Sequence, residues 1–151
     1  MKVKISVAIA LLLALISAAA CTAASAGTTD KTDQGVKEIA ITTSDEFDQN
    51  QHIQKEVEIA KGNTLVVTLF SNGTTGFSWD ENAQIADTGI IQQLKHQYIG
   101  AETNIPGAPG AEQWTFEAVN TGTTTVHLEY SRPWEGGEKG VWTFDLTVTV
   151  K

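Results

Sequence analysis

The side chains that could carry acid–base, nucleophilic or metal chemistry are few and far apart. The histidines are His52, His96 and His127, and no two are spaced as metal ligands. The one cysteine, Cys21, sits in the leader with no partner. His127 falls between Val126 and Leu128, the inward positions of an alternating run, so it should face solvent. There is no G-x-S-x-G elbow and no P-loop. Asp80-Glu81 and the Asp45–Asp48 cluster read as solvated loop charge. This pattern points away from an enzyme, and neither a metal nor a cofactor is expected.

What the sequence offers instead is a set of stiff, shaped loops. Asn72-Gly73 between apolar runs is a strong hairpin signal. The loop then continues through Thr74 and Thr75, restricted at χ1, to Gly76, which is free to take positive φ. A second loop contains Pro106-Gly107-Ala108-Pro109-Gly110, and a third Arg132-Pro133-Trp134. The prolines fix φ, and a stiff loop loses little entropy on binding. Trp and Arg are the residue types enriched where binding energy concentrates. Each loop alone also has a plainer reading. The first could be an ordinary hairpin, the second a turn. In the third, Trp134 could fold onto the sheet with Arg132 over its face. Asn72-Gly73-Thr74 is also an N-glycosylation sequon, taken as a chance match.

The elements that must hold these loops are strands. Val57 and Ile59 alternate, and Lys61-Gly62-Asn63 turns the chain. Leu65, Val67 and Leu69 share one face, and Phe77 and Trp79 open the next strand. The stretch from Ile85 to Tyr98 fits a strand or a short helix, and its neighbours favour strand. Trp114, Phe116 and Ala118 alternate, as do Val126, Leu128 and Tyr130. Trp142, Phe144, Leu146, Val148 and Val150 form the cleanest period-two run. Trp79, Trp114 and Trp142 keep step with inward neighbours and belong to the core. The pattern predicts an all-β, immunoglobulin-like sandwich of about seven to eight antiparallel strands and no helix.

The organisation is expected to be a signal peptide over residues 1–20, a flexible tether over 21–35 and one domain over 36–151. Lys2 and Lys4 precede the apolar run Val7–Ile16, which is too short to span a bilayer. Ala24-Ser25-Ala26 fits an ordinary cleavage site. Cys21 stands where a lipoprotein would be cut and acylated, although Ala18 occupies the position where leucine is usual. Lipid attachment at Cys21 is the preferred reading, and loss of the cysteine with the signal is the alternative. The protein is expected to be exported, as an envelope lipoprotein or in secreted form, and monomeric. The formal charge is −8; without the two positive charges of Lys2 and Lys4 it is −10 from Cys21 onward. That balance argues against nucleic acid and against electrostatic docking on anionic lipid, leaving a lipid anchor as the one route to a membrane.

At the three loops the chain resembles the chagasin family of cysteine-protease inhibitors. That family carries N-P-T-T-G, G-x-x-G and R-P-W in this order. Here they read Asn72-Gly73-Thr74-Thr75-Gly76, Gly107-Ala108-Pro109-Gly110 and Arg132-Pro133-Trp134. The flanking "GFSW", "WTFEA" and "LEY" match as well, over about Val57 to Val150. The resemblance implies an immunoglobulin-like fold and a papain-like cysteine protease as partner. It implies that "NGTTG" enters the active-site cleft, with "RPW" on one side and "PGAPG" on the other. Gly73 departs from the family, which has proline there. The rival expectation is an exported carbohydrate-binding or adhesive module, with Trp134 and Tyr98 as stacking platforms.

Overall fold

The computed structural model describes residues 35–151 except 43, 102 and 104. The signal peptide, nearly all of the tether and Cys21 lie outside the described residues. Among the described residues, nine strands and one short α-helix run in the order β1 (Val36–Ile41), α1 (Asp45–Gln49), β2 (His52–Ile59), β3 (Thr64–Ser71), β4 (Ser78–Trp79), β5 (Gln84–Ile85), β6 (Ile91–Ile99), β7 (Gly110–Ala118), β8 (Gly122–Ser131) and β9 (Trp142–Val150). They form two sheets. One has the order β1-β3-β7-β6; the other has the order β2-β9-β8-β4, with β5 also on β8. The fold is an immunoglobulin-like β-sandwich.

The alternation along each strand explains the layering. Leu65, Val67 and Leu69 of β3 face Val126 and Leu128 of β8 and Phe144, Leu146 and Val148 of β9 across one core, with Trp114 and Phe116 of β7. All of these side chains are fully buried. The first strand of each sheet departs from the antiparallel expectation: β1 pairs with β3, and β2 with β9, both in parallel.

Three other expectations need correction. The strand count is nine because β4 and β5 are two-residue pairings on the edge of β8, too short to leave a period in the sequence. The Asp45–Asp48 cluster is a helical turn. Asp45 and Asp48 are exposed, but Phe47 between them is wholly buried, stacked on Trp142 at 5.2 Å and tilted against Trp79 at 5.2 Å. Trp142 lines the edge of the core and remains half-buried, whereas Trp79 and Trp114 are interior. In the ambiguous Ile85–Tyr98 stretch, residues 86–90 bend and turn the chain and the part from Ile91 onward is strand, with a bulge between Gln93 and Lys95. His127 does face outward, half-exposed and hydrogen-bonded to Asp145 across the sheet at 2.7 Å.

Candidate functional site

Strand register brings the three loops to one end of the sandwich. Ser71 pairs with Gly110, and Ile99 with Ala111, so the segment 100–109 emerges beside the start of "NGTTG". Ser78 pairs with Ser131, and Tyr130 with Trp142, so the segment 132–141 emerges beside its end. "NGTTG" therefore lies between the other two.

The central loop is not a hairpin, despite Asn72-Gly73, because β3 and β4 lie in different sheets. It is a single 3-10 turn, Gly73–Thr75, held by its own side chains. Asn72 Oδ1 accepts from the Thr74 N–H at 3.2 Å and from Thr74 Oγ1 at 2.7 Å. The Thr75 N–H and hydroxyl both donate to the Asn72 carbonyl, at 3.1 and 2.7 Å. Gly76 closes the turn at φ 79°, the left-handed region that glycine occupies without strain. At the loop's start the Asn72 N–H donates to the Tyr130 hydroxyl at 2.9 Å.

The third loop is locked onto the first by a cation sandwich. The Arg132 guanidinium lies 4.4 Å from the Phe77 ring centroid and 5.9 Å from that of Trp134. Its Nε is buried without a hydrogen-bond partner among the described residues, so ring faces take the place of an acceptor. The Lys139 ammonium donates to the Arg132 and Trp134 carbonyls, and the Gly137 N–H donates to the Trp134 carbonyl at 3.1 Å. The Trp134 indole is 51% exposed, with its edge over Gly76. Pro133 is exposed beside it. Arg132 is thus a partly buried strut, its guanidinium also 4.0 Å from the Glu138 carboxylate, and Trp134 is the part that protrudes.

The aromatic stack continues beneath. Phe77 stacks on Tyr130 at 5.5 Å, Tyr130 on Trp142 at 4.9 Å, and Trp142 on Phe47 of α1. The loop end therefore rests on a rigid column. In the second loop, Gly107 sits at φ 82° and the Ala108 N–H donates to the Ile105 carbonyl at 3.1 Å. Ala108 is half-buried and Pro109 exposed. Gly110 begins β7, where a Cβ would lie 2.6 Å from the Tyr98 hydroxyl. All twelve loop residues singled out from the sequence are thus gathered at one end, in three adjacent segments.

A sequence profile described as Chagasin family peptidase inhibitor I42 matches residues 58–148. The chain belongs to the chagasin family. It is 29% identical over 87 residues to chagasin of Trypanosoma cruzi, spanning 56% of this chain and 79% of that one. It is 25% identical over 95 residues to amoebiasin-2 of Entamoeba histolytica, spanning 63% and 76%. The fold resembles that of EhICP2, a cysteine protease inhibitor from Entamoeba histolytica, with TM-score 0.61, 19% identity and coverage of 77% and 96%. It also resembles PbICP-C, solved in complex with falcipain-2, with TM-score 0.53, 16% identity and coverage of 77% and 98%.

Within this chagasin-family scaffold, sequence reasoning passed over the residues behind the loops. Glu112 is a buried carboxylate, 4% exposed, between the two ends of "NGTTG". It shares strand parity with the inward Trp114 and Phe116. An acid in phase with a core face was the available signal. Ser71 is likewise in phase with Leu65, Val67 and Leu69.

Proposed function

We propose that this protein is a reversible inhibitor of papain-like cysteine proteases, with Asn72–Gly76 seated in the active-site cleft between Trp134 on one side and Gly107–Gly110 on the other. The observation that carries this reading is the gathering of the three loops at one end, with the self-capped "NGTTG" turn in the middle. PbICP-C, a structural neighbour, was solved in complex with falcipain-2, and EhICP2 is described as a cysteine protease inhibitor.

The turn suggests why such a loop is bound and not cut. A substrate is cleaved when its carbonyl is held at the attack angle of the nucleophile. Here the Asn72 carbonyl is already engaged by Thr75, and the Gly73 carbonyl by the Gly76 N–H. The backbone is coiled, not extended, and uncoiling it would break these bonds and the Asn72 cap. Rigidity on both flanks limits the entropy lost on docking. The contact should be near standard size, roughly 800 Å² per partner. A carbohydrate platform has less support, since Arg132 occupies a ring face of Trp134.

Titration of papain with the purified protein tests the reading. Stoichiometric inhibition is expected. It should tolerate salt, because Thr, Gly, Pro and Trp make the contact. Thr75→Trp should abolish it. Full papain activity at a tenfold molar excess of protein would refute the proposal. Export with acylation at Cys21 is the accompanying proposal. Intact mass of the exported form tests it, with a diacylglycerol-sized increment expected.

A further inference from the structure

We propose that Glu112 is the positioning residue of the "NGTTG" loop. The inference rests on the inhibitor reading for one of its readouts and is independent of it for the other.

The base of this loop lacks what usually holds a loop. In a hairpin the two flanking strands pair, and their ladder closes the mouth. Here β3 hands the chain to β4 in the opposite sheet, so no ladder joins Ser71 to Ser78. A single carboxylate oxygen stands in for it. Glu112 Oε1 accepts from the Ser71 hydroxyl at 2.8 Å, immediately before the loop. The same atom accepts from the Trp79 N–H at 3.0 Å, just after it. Glu112 belongs to β7, so it ties both ends to the sheet that β3 leaves. Its other oxygen, Oε2, meets His96 Nε2 at 2.9 Å, and the His96 ring packs on Trp114 at 5.0 Å. That contact fixes the carboxylate's direction from behind. Two further bonds help: Trp79 Nε1–H donates to the Phe70 carbonyl at 2.8 Å, and the Asn72 N–H to Tyr130.

The site is buried, and a carboxylate there is desolvated. An apolar side chain of similar size would fill the space at lower desolvation cost. What it could not do is accept from a hydroxyl and an amide arriving from opposite sheets. The carboxylate therefore makes geometric sense as a clamp on the loop mouth.

The test uses Glu112→Ala, Glu112→Gln and Ser71→Ala in the full protein. Glutamine keeps Oε1 as acceptor and places its amide beside His96 Nε2, so it should act as the rescuing variant. The first readout is amide exchange by NMR in the free protein. Glu112→Ala should raise exchange at Trp79, Thr75 and Gly76 by about tenfold or more, Ser71→Ala by about threefold, and Glu112→Gln should restore protection. The second readout is papain inhibition across backgrounds. Glu112→Ala should cost about tenfold alone and less with Gly73→Pro, which pre-orders the loop by other means. An equal cost in both backgrounds would mean a general structural role and overturn the inference. So would unchanged exchange at 75 and 76 in both Glu112→Ala and Ser71→Ala. If Glu112→Ala does not fold, Ser71→Ala and Glu112→Gln decide. If the unsubstituted protein fails to inhibit papain, the function is wrong and the exchange data alone judge the clamp.

Discussion

Replacing Gly73 with proline should tighten inhibition, and the structure shows why the substitution is permitted. Gly73 is the first residue of the 3-10 turn and is not among the glycines at positive φ. Proline's fixed φ near −65° suits that position. The Gly73 N–H donates no hydrogen bond among the described residues, so none is lost. A Cβ there meets nothing within 4 Å. Asn72, at φ −125° and ψ 87°, lies outside the α region that proline denies its predecessor. The Gly73 carbonyl still accepts from Gly76. What changes is the number of states open to the chain when the loop is not in this form.

That restriction is worth about 0.4–1 kcal/mol, or about two- to fivefold in affinity if it is realised on binding. The assay is the inhibition constant against papain, with association and dissociation rates, for Gly73, Gly73→Ala and Gly73→Pro. The expected order of tightness is proline, then alanine, then glycine. The melting temperature should rise in the same order, since part of the effect acts on the unfolded chain. Equal or weaker inhibition by a proline variant with raised stability would refute the reasoning. It would show that the free loop already holds its bound shape, or that it must deform to bind.

Other perturbations reach other parts of the same end. Gly76→Ala places a Cβ 2.7 Å from Trp134 Cη2 at a φ of 79°, so it should weaken papain inhibition about tenfold or more and lower the melting temperature. Phe47→Ala should cost about 3–5 kcal/mol in urea unfolding, because it empties the contact between α1 and the two tryptophans. Burial opposes charge on His127, but its hydrogen bonds to Asp145 and Glu129, with their negative charges, outweigh that and hold its pKa above 6.5. The histidine therefore adds stability in full below about pH 6.5, and loses it as pH rises through the raised value. Urea midpoints at pH 5.5 and 8.5 should show this slope, and Asp145→Asn should flatten it.

Much of the scaffold was legible because a half-buried strand writes its period into the chain. Trp142 to Val150 and Leu65 to Leu69 announced their inward faces, and the structure buries nearly all of those residues. The short pieces were not legible. The helix α1 has one apolar residue, Phe47, among acids, which is too little for a helical period; only the packing of Trp79 and Trp142 around it reveals the turn. Arg132 over the face of Trp134 was among the readings the sequence offered, but its closer contact with Phe77 was not legible, because Phe77 is distant in sequence and meets it only through the register of β4 on β8.

The reading of Asn72-Gly73 shows where local chemistry stops deciding. The dipeptide is the usual signal for a chain that reverses and pairs with itself. Pairing requires a free edge on the strand that enters the turn. β3 offers none along most of its length, since β1 occupies one edge as far as Leu69 and β7 the other through Ser71. The chain leaving the turn must therefore cross to the second sheet and pair with β8. Turn residues can then shape only the tip. Asn72 caps the turn and Gly76 ends it, but nothing local closes the base. A loop freed from its hairpin ladder stands away from both sheets and is available to another molecule, at the cost of needing a separate clamp. On this argument the buried acid at position 112 and the protruding "NGTTG" turn are two consequences of a single topological fact, the place of β3 inside its sheet between β1 and β7.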